Sequence, residues 1–336
     1  MRINARPVVA AWTCAALMIG CWLSFAAEPV VDADGDAIKR RVYECMSPDD
    51  EKGFLRKQPP KKGEWLFSFH EPPQRFEQYC MTPHVRPTAA RRTIVLQPLG
   101  EMSAEKKQML EDLRDYAEVF FQLPARIEKP LALKLDAPGK PLTRIVPMGL
   151  RRNGYDTQYD ADRILDSILI KRIPDDAVVY LGITMEDLFS GDLHYVFGLG
   201  DTQHRVGVYS LCRYFPEFWT QERLPDAGVT ALRRACKVLN HETGHMFGLL
   251  HCVFYDCSMN GSMSLIETDA APVHFCPVCQ KKLVWNMGCD ADKRLEMVRA
   301  FYAKHDMKEE AAFMEMQRVQ WRKSMESEAQ RKIKDE

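Results

Sequence analysis

Residues 241–252 read HETGHMFGLLHC, and this stretch constrains the chain more than any other. Residues four apart share one face of an α-helix, so His241 and His245 can offer imidazole nitrogens to a single metal ion. Glu242 follows the first ligand and projects beside the pair, within reach of a metal-bound water. Gly248 can take the left-handed conformation that stops a helix and turns the chain back. That turn lets His251 supply a third nitrogen from outside the helix. Three protein ligands leave a zinc position open for water, the catalytic rather than the structural arrangement.

Cys252, Cys257, Cys276 and Cys279 form a second constellation. Two cysteines five apart followed by Cys-x-x-Cys match a four-thiolate zinc site. Two disulfides or a redox CxxC are the alternatives. A redox motif belongs at a strand-to-helix turn of a thioredoxin-like unit, whereas this CPVC ends a loop that starts one residue beyond His251. Zinc is the better reading. Neighbouring side chains of an extended segment point in opposite directions, so the two metals would lie on opposite sides of residues 251–252, with the cysteine site clamping His251. The cofactor expectation is two zinc ions per chain, one catalytic and one structural.

The 336 residues suffice for one well-filled core with appendages or for two small domains. With 46% hydrophobic and 28% charged residues, the composition is globular. A net charge of −1 without a long basic block argues against a nucleic-acid partner. Arg2 and Arg6 precede an apolar run over 7–27 that closes with small residues at Ser24 and Ala26, a pattern expected of a signal peptide over 1–26 on an exported protein. A retained membrane anchor, or a lipoprotein site at Gly20-Cys21, are the alternatives. Nine of the eleven cysteines lie beyond this segment. Export favours disulfides, Cys45–Cys80 among them, so the zinc reading requires metal to occupy its thiolates before they oxidise.

Along the chain, residues 27–90 are proline-rich and read as an extension wrapped on the catalytic domain, with 65–69 (WLFSF) as its strand. A short buried strand at 93–96 precedes a helix over 104–121, with Ser103 as its cap and Leu110, Leu113, Ala117 and Phe120 on one stripe. A helix over 161–170 and a buried strand over 177–183 follow, and this order implies an α/β layer with a partly parallel sheet. Strands are expected over 194–200 and 206–214. The helix over 227–247, with Asp226 as N-cap, carries the ligands and buries Ala231, Ala235, Val238 and Leu239. The tail over 289–336 reads as two helices, one burying Leu295, Val298, Phe301 and Tyr302 and the other presenting Phe313, Met316, Val319 and Gln320. Cys212 and Cys236 read as core residues, and His194, His204 and His274 stand outside the motif.

HExxHxxGxxHC, then Cys-x-Met, then CxxC resembles the archaemetzincins, a branch of the metzincin zinc metallopeptidases. QPLG at 97–100, LGIT at 181–184, DLFSGDLHYVFG at 187–198, YSLCRYFPEF at 209–218, MNGSMSL at 259–265 and FCPVCQKKL at 275–283 extend the resemblance over about 91–288. It implies a metzincin-like α/β (α+β) domain with a twisted mixed sheet, an active-site helix and a zinc-clamped C-terminal subdomain. By the same resemblance His241, His245 and His251 bind catalytic zinc, Glu242 is the general base, Met259 lies under the metal, the four cysteines hold a structural zinc, and the substrate is a peptide or protein. Met263 departs from the pattern, where asparagine is expected. The strand near 193–200 offers its edge to an extended substrate, with Phe197 and Gly198 as the candidate contacts. A zinc-bound module without proteolysis, recruiting a partner through its tail, is the rival reading.

Overall fold

The computed structural model describes residues 51–133, 142–219 and 226–335. The expected signal peptide and Cys45 lie outside them, and Cys80 is a free thiol. Among the described residues no helix is long and apolar enough to cross a membrane. Two short helices, α1 (Trp65–Ser68) and α2 (Phe76–Met81), come first. Strand β1 (Thr93–Leu99) leads through α3 (Ala104–Phe121) to β2 (Ala125–Ile127). Strands β3 (Thr143–Ile145) and β4 (Thr157–Asp160) precede α4 (Ala161–Ile164), which continues through a π-turn (Leu165–Leu169) and a 3-10 turn (Ile170–Arg172). Then come β5 (Ala177–Thr184), β6 (Asp187–Phe189), β7 (Gly198–Asp201), β8 (Val206–Ser210) and α5 (Pro216–Trp219). The long helix α6 (Ala227–Met246) is followed by α7 (Leu265–Ala270), α8 (Pro277–Met287), α9 (Ala291–Lys304) and α10 (Lys308–Asp335).

The main sheet runs β2-β1-β5-β8-β7, parallel throughout except for β7 at its edge, which is antiparallel to β8. A smaller sheet runs β3-β4-β6. The fold is thus the mixed α/β one expected from the order of elements. β1 and β5 are buried along their whole length, as parallel strands covered on both faces must be. Side chains alternate across β1: Ile94 and Leu96 join the core built with α3 and α6, while Val95 joins Ile164 and Leu169 on the other face. Two layers of helix therefore hold the sheet between them, and α6 lies on one side of it.

The expected stripe of α3 is buried, and the Ser103 hydroxyl accepts from Lys106 N at its start. Tyr116 on this helix meets the Tyr302 hydroxyl of α9 at 2.9 Å, and Asn240 of α6 donates to the same Tyr116 oxygen at 2.8 Å. That polar pair inside the core fixes α3, α6 and α9 against one another.

Three expectations are corrected. Residues 65–68 are helix, not strand: only Trp65 is buried, Phe67 and Phe69 are exposed, and Trp65 N donates to Glu267 Oε1 at 2.9 Å. Alternating aromatics suit a strand, but no sheet edge is offered to them here. Residues 194–197 precede β7 instead of belonging to it, and 212–214 turn into a 3-10 helix. On α10 the buried side is Met314 and Gln317, while Met316 and Val319 are exposed. Arg318 and Arg322 reach Asp292 on α9, and Arg318 also pairs with Glu296, which sets that rotation.

Candidate metal centre

Helix α6 delivers His241, Glu242 and His245 at its C-terminal end, with Ala231, Ala235, Val238 and Leu239 buried as expected. Gly248 then takes φ +83°. Its N–H donates to His245 O at 2.8 Å and Leu249 N to Gly244 O at 3.0 Å, the two bonds of a Schellman stop. The chain doubles back, and His251 returns to the two helical histidines.

Each imidazole has its Nδ1 hydrogen-bonded to an oxygen. His241 donates to Ser258 O at 2.9 Å, His245 to Leu249 O at 2.7 Å, and His251 to the Glu71 carboxylate at 2.7 and 3.0 Å. With the proton on Nδ1, each Nε2 is an electron-pair donor, and His241 Nε2 lies 3.0 Å from His245 Nε2. One ligand atom from each ring lies within 4.8 Å of the others. Lone pairs converging in a buried space repel unless a cation sits among them, so this donor set fits a zinc ion with three nitrogen ligands. Burial holds His241 well below the ordinary histidine value and lowers His245 to about 3, so both are unprotonated at neutral pH, as ligands must be.

Glu242 is 2% exposed on the same helical turn. The Tyr214 phenol lies near it: burial raises that hydroxyl's pKa most, and the Glu242 carboxylate raises it further. Met259 is fully buried, and a Cβ at Gly244 would lie 2.5 Å from its sulfur. The thioether is therefore pressed against the helix turn between the two histidines, and only glycine at 244 admits it.

The four cysteines also come together, all buried, with their sulfurs within 4.8 Å of one another and none in a disulfide. Cys252 Sγ and Cys276 Sγ are 3.5 Å apart, and Cys257 Sγ accepts from Met259 N and Cys276 N at 3.4 and 3.2 Å. Hydrogen bonds from the other three thiols hold the Cys252 thiol well below its ordinary value. Four sulfurs in one buried tetrad fit a closed zinc site. His251 joins the histidine group and the next residue, Cys252, the cysteine group. Cys257–Ser258–Met259 then links the two sites, because Ser258 O holds His241 and Met259 O accepts from Cys252 N at 2.7 Å. Asn260 ties the loop, donating to Cys252 O and Tyr255 O and accepting from Cys257 N. At Met263, where asparagine was expected, the main-chain N–H donates to Glu267 Oε2 at 2.8 Å.

Phe197 is placed differently from its sequence reading. It is 2% exposed and stacks on Tyr214 at 5.2 Å and 13°, so its side chain belongs to the core. The space at Gly198 is filled by Tyr209 and by Val208 O, which a Cβ would approach to 2.7 Å. Alternation identifies residues that share a face, not whether that face meets core or substrate. Among the described strands β7 is an edge of the main sheet. Outside the triad, His204 is exposed and bonds Asp201, while His274 stacks on Phe313 at 3.8 Å.

Sequence reasoning missed Glu71 and the residues around it. Gln74 donates to Gly248 O at 3.0 Å and accepts from Leu250 N at 3.1 Å, and Tyr79 hydroxyl donates to Phe247 O at 2.7 Å. No local spacing announces contacts with a turn that lies 168 to 180 positions away.

Comparison with known proteins agrees with this chemistry. The profile of Peptidase family M54 matches residues 107–284. Archaemetzincin-2 of Pongo abelii is 30% identical over 258 residues, covering 69% of this chain and 69% of the relative. The archaemetzincin of Pyrococcus furiosus is 30% identical over 201 residues, covering 59% of this chain and 95% of the relative. A crystal structure of archaemetzincin from Methanopyrus kandleri, 26% identical, covers 60% of this chain and 99% of its own, with a TM-score of 0.44.

Proposed function

The chain belongs to peptidase family M54, the archaemetzincins, and on that premise we propose that it hydrolyses peptide bonds with Glu242 as general base. It is a zinc metallopeptidase, as its family is, with a peptide or protein as substrate. In our reading His241, His245 and His251 hold the catalytic zinc, and Cys252, Cys257, Cys276 and Cys279 hold a second, structural one. The observation that carries this is the triad itself: three Nδ1 groups tied to oxygens, three Nε2 groups turned together, and a buried carboxylate one residue from the first.

A zinc ion held by His241, His245 and His251 would supply Lewis acidity, enough to lower the pKa of a bound water to about 7 and to polarise a scissile carbonyl. The chain's own residues do the rest. Glu242 removes a proton from the attacking water and delivers one to the departing amine. Its burial strengthens that exchange by removing competing solvent. Ser258 O and Leu249 O keep His241 and His245 in the tautomer that leaves Nε2 bare. Met259 fills the space against Gly244 and keeps that helical turn seated. An extended peptide adds along the free edge of β7, drawing affinity from main-chain bonds more than from side-chain pockets. We read residues 1–26 as a signal peptide, and that basic and apolar pattern supports export of this activity.

Glu242→Gln tests the mechanism. The variant should keep its fold and both zinc ions while cleaving a peptide library roughly 10²–10⁴-fold more slowly. Wild-type turnover in the variant would refute the general-base role. Loss of zinc from it would mean that Glu242 is a ligand. Zinc retention in the wild type without turnover of any library peptide would favour a non-proteolytic zinc module.

A further inference from the structure

His251 differs from its two partners in how it is held. His245 leans on the main-chain carbonyl of Leu249 in the next turn and His241 on that of Ser258 in the cysteine loop, whereas His251 Nδ1 meets a charged carboxylate, Glu71, from a segment 180 positions earlier. Both Glu71 oxygens turn to that nitrogen, at 2.7 and 3.0 Å, with 6% of the histidine side chain and 19% of the glutamate side chain exposed. The segment carrying Glu71 lies before the residues matched by the family profile, 107–284. It is anchored independently of the metal. Trp65 packs edge-on against His251 at 5.2 Å, and its ring occupies the space a side chain at Gly261 would need. Gln74 brackets Gly248 O and Leu250 N and also accepts from Lys282 Nζ at 2.9 Å. Further upstream, Lys57 N donates to Phe254 O and Asp256 N to Leu55 O, pinning the cysteine loop as well.

We propose that Glu71 is a positioning residue for the catalytic metal: its carboxylate holds the His251 imidazole, which makes the segment over 54–84 a working part of the metal centre. A carboxylate on the far nitrogen of a metal-binding histidine fixes its tautomer and ring plane and raises the basicity of the ligating nitrogen. His251 needs this more than the others do, because it sits beyond the helix end on a glycine turn, where nothing in the helix dictates its ring orientation. The inference rests on the reading of His241, His245 and His251 as zinc ligands.

Zinc affinity measured by competition with a chelator of known strength tests it, on the full chain, with the cysteine-held zinc as internal reference. Glu71→Ala should weaken the histidine site about 10–100-fold and leave the cysteine site unchanged. Glu71→Gln keeps an acceptor without the charge and should recover part of that loss. Both variants should keep the wild-type KM for a peptide substrate at saturating zinc. Affinity of Glu71→Ala within twofold of wild type would overturn the proposal. Equal weakening at both sites, or identical losses in Ala and Gln variants with a matching fall in unfolding midpoint, would overturn it too, since Glu71 would then be a packing residue. Zinc content that does not fall in His251→Ala relative to wild type would remove the ligand assignment itself, a result distinct from either.

Discussion

Gly248 has φ +83°, and a Cβ placed on it would lie 2.7 Å from the Cβ of His84. A non-glycine residue in the left-handed region loses roughly 1–2 kcal/mol, and here it also meets a neighbour that cannot yield cheaply. Gly248→Ala should therefore lower the urea midpoint and weaken zinc at the histidine site, because His251 follows the turn. Calorimetric unfolding with and without zinc checks this, and a variant whose zinc affinity is unchanged would show that the turn does not position the ligand. The role of Gly248 was legible in the sequence, since its distance from His245 says where a helix must stop. The need for glycine at 244 was not, because it arises from the Met259 sulfur packed against that turn from a separate loop. Glu71 was equally illegible: an acidic residue among prolines has no periodicity to betray its partner.

At the scale of elements, the sequence spoke most clearly where one element explains its own pattern. The buried stripes of α3 and α6 follow from helical spacing, and β1 and β5 from unbroken apolar runs. It spoke least clearly where a short run depends on what lies beside it, as with Trp65–Ser68 and the stretch before β7. The cysteine loop is an element of a third kind, one whose shape the sulfurs themselves close. Cys276→Ser should remove one zinc equivalent and loosen Cys257, which shares the sulfur tetrad with it. Since Ser258 O orients His241, peptidase activity should fall about 10-fold or more with the histidine zinc still present at saturation. Metal analysis alongside kcat checks this, and full activity at one zinc per chain would show the two sites to be uncoupled.

For the whole molecule, the segment over 51–90 and the body that follows it stand or fall together. His84 stacks on Tyr79 at 4.3 Å, donates to Thr82 O and accepts from Arg86 Nε, so it is held in its neutral form. Burial lowers its pKa most, the nearby Arg86 charge lowers it further, and the Thr82 carbonyl opposes them. A histidine whose folded value lies below its unfolded value of ~6.5 takes up protons preferentially on unfolding once pH drops beneath that point. Stability should then decline below about pH 6.5, by up to ~1.4 kcal/mol per pH unit for each such histidine. His84→Gln should shallow the decline, read from urea midpoints at pH 7.5 and 5.5; an unchanged slope would assign it to other groups. The linkage of Cys257, Ser258 and Met259 has a further consequence. Three consecutive residues serve three neighbours: a thiol for the tetrad, a carbonyl for His241, a thioether for Gly244. The middle one orients His241 through its main chain while its buried hydroxyl donates to Lys237 O at 3.3 Å, and one inserted or deleted residue would misdirect all three at once. This tripeptide is therefore as intolerant in length as in its thiol and thioether, and a redesigned loop must keep its count as well as those two side chains.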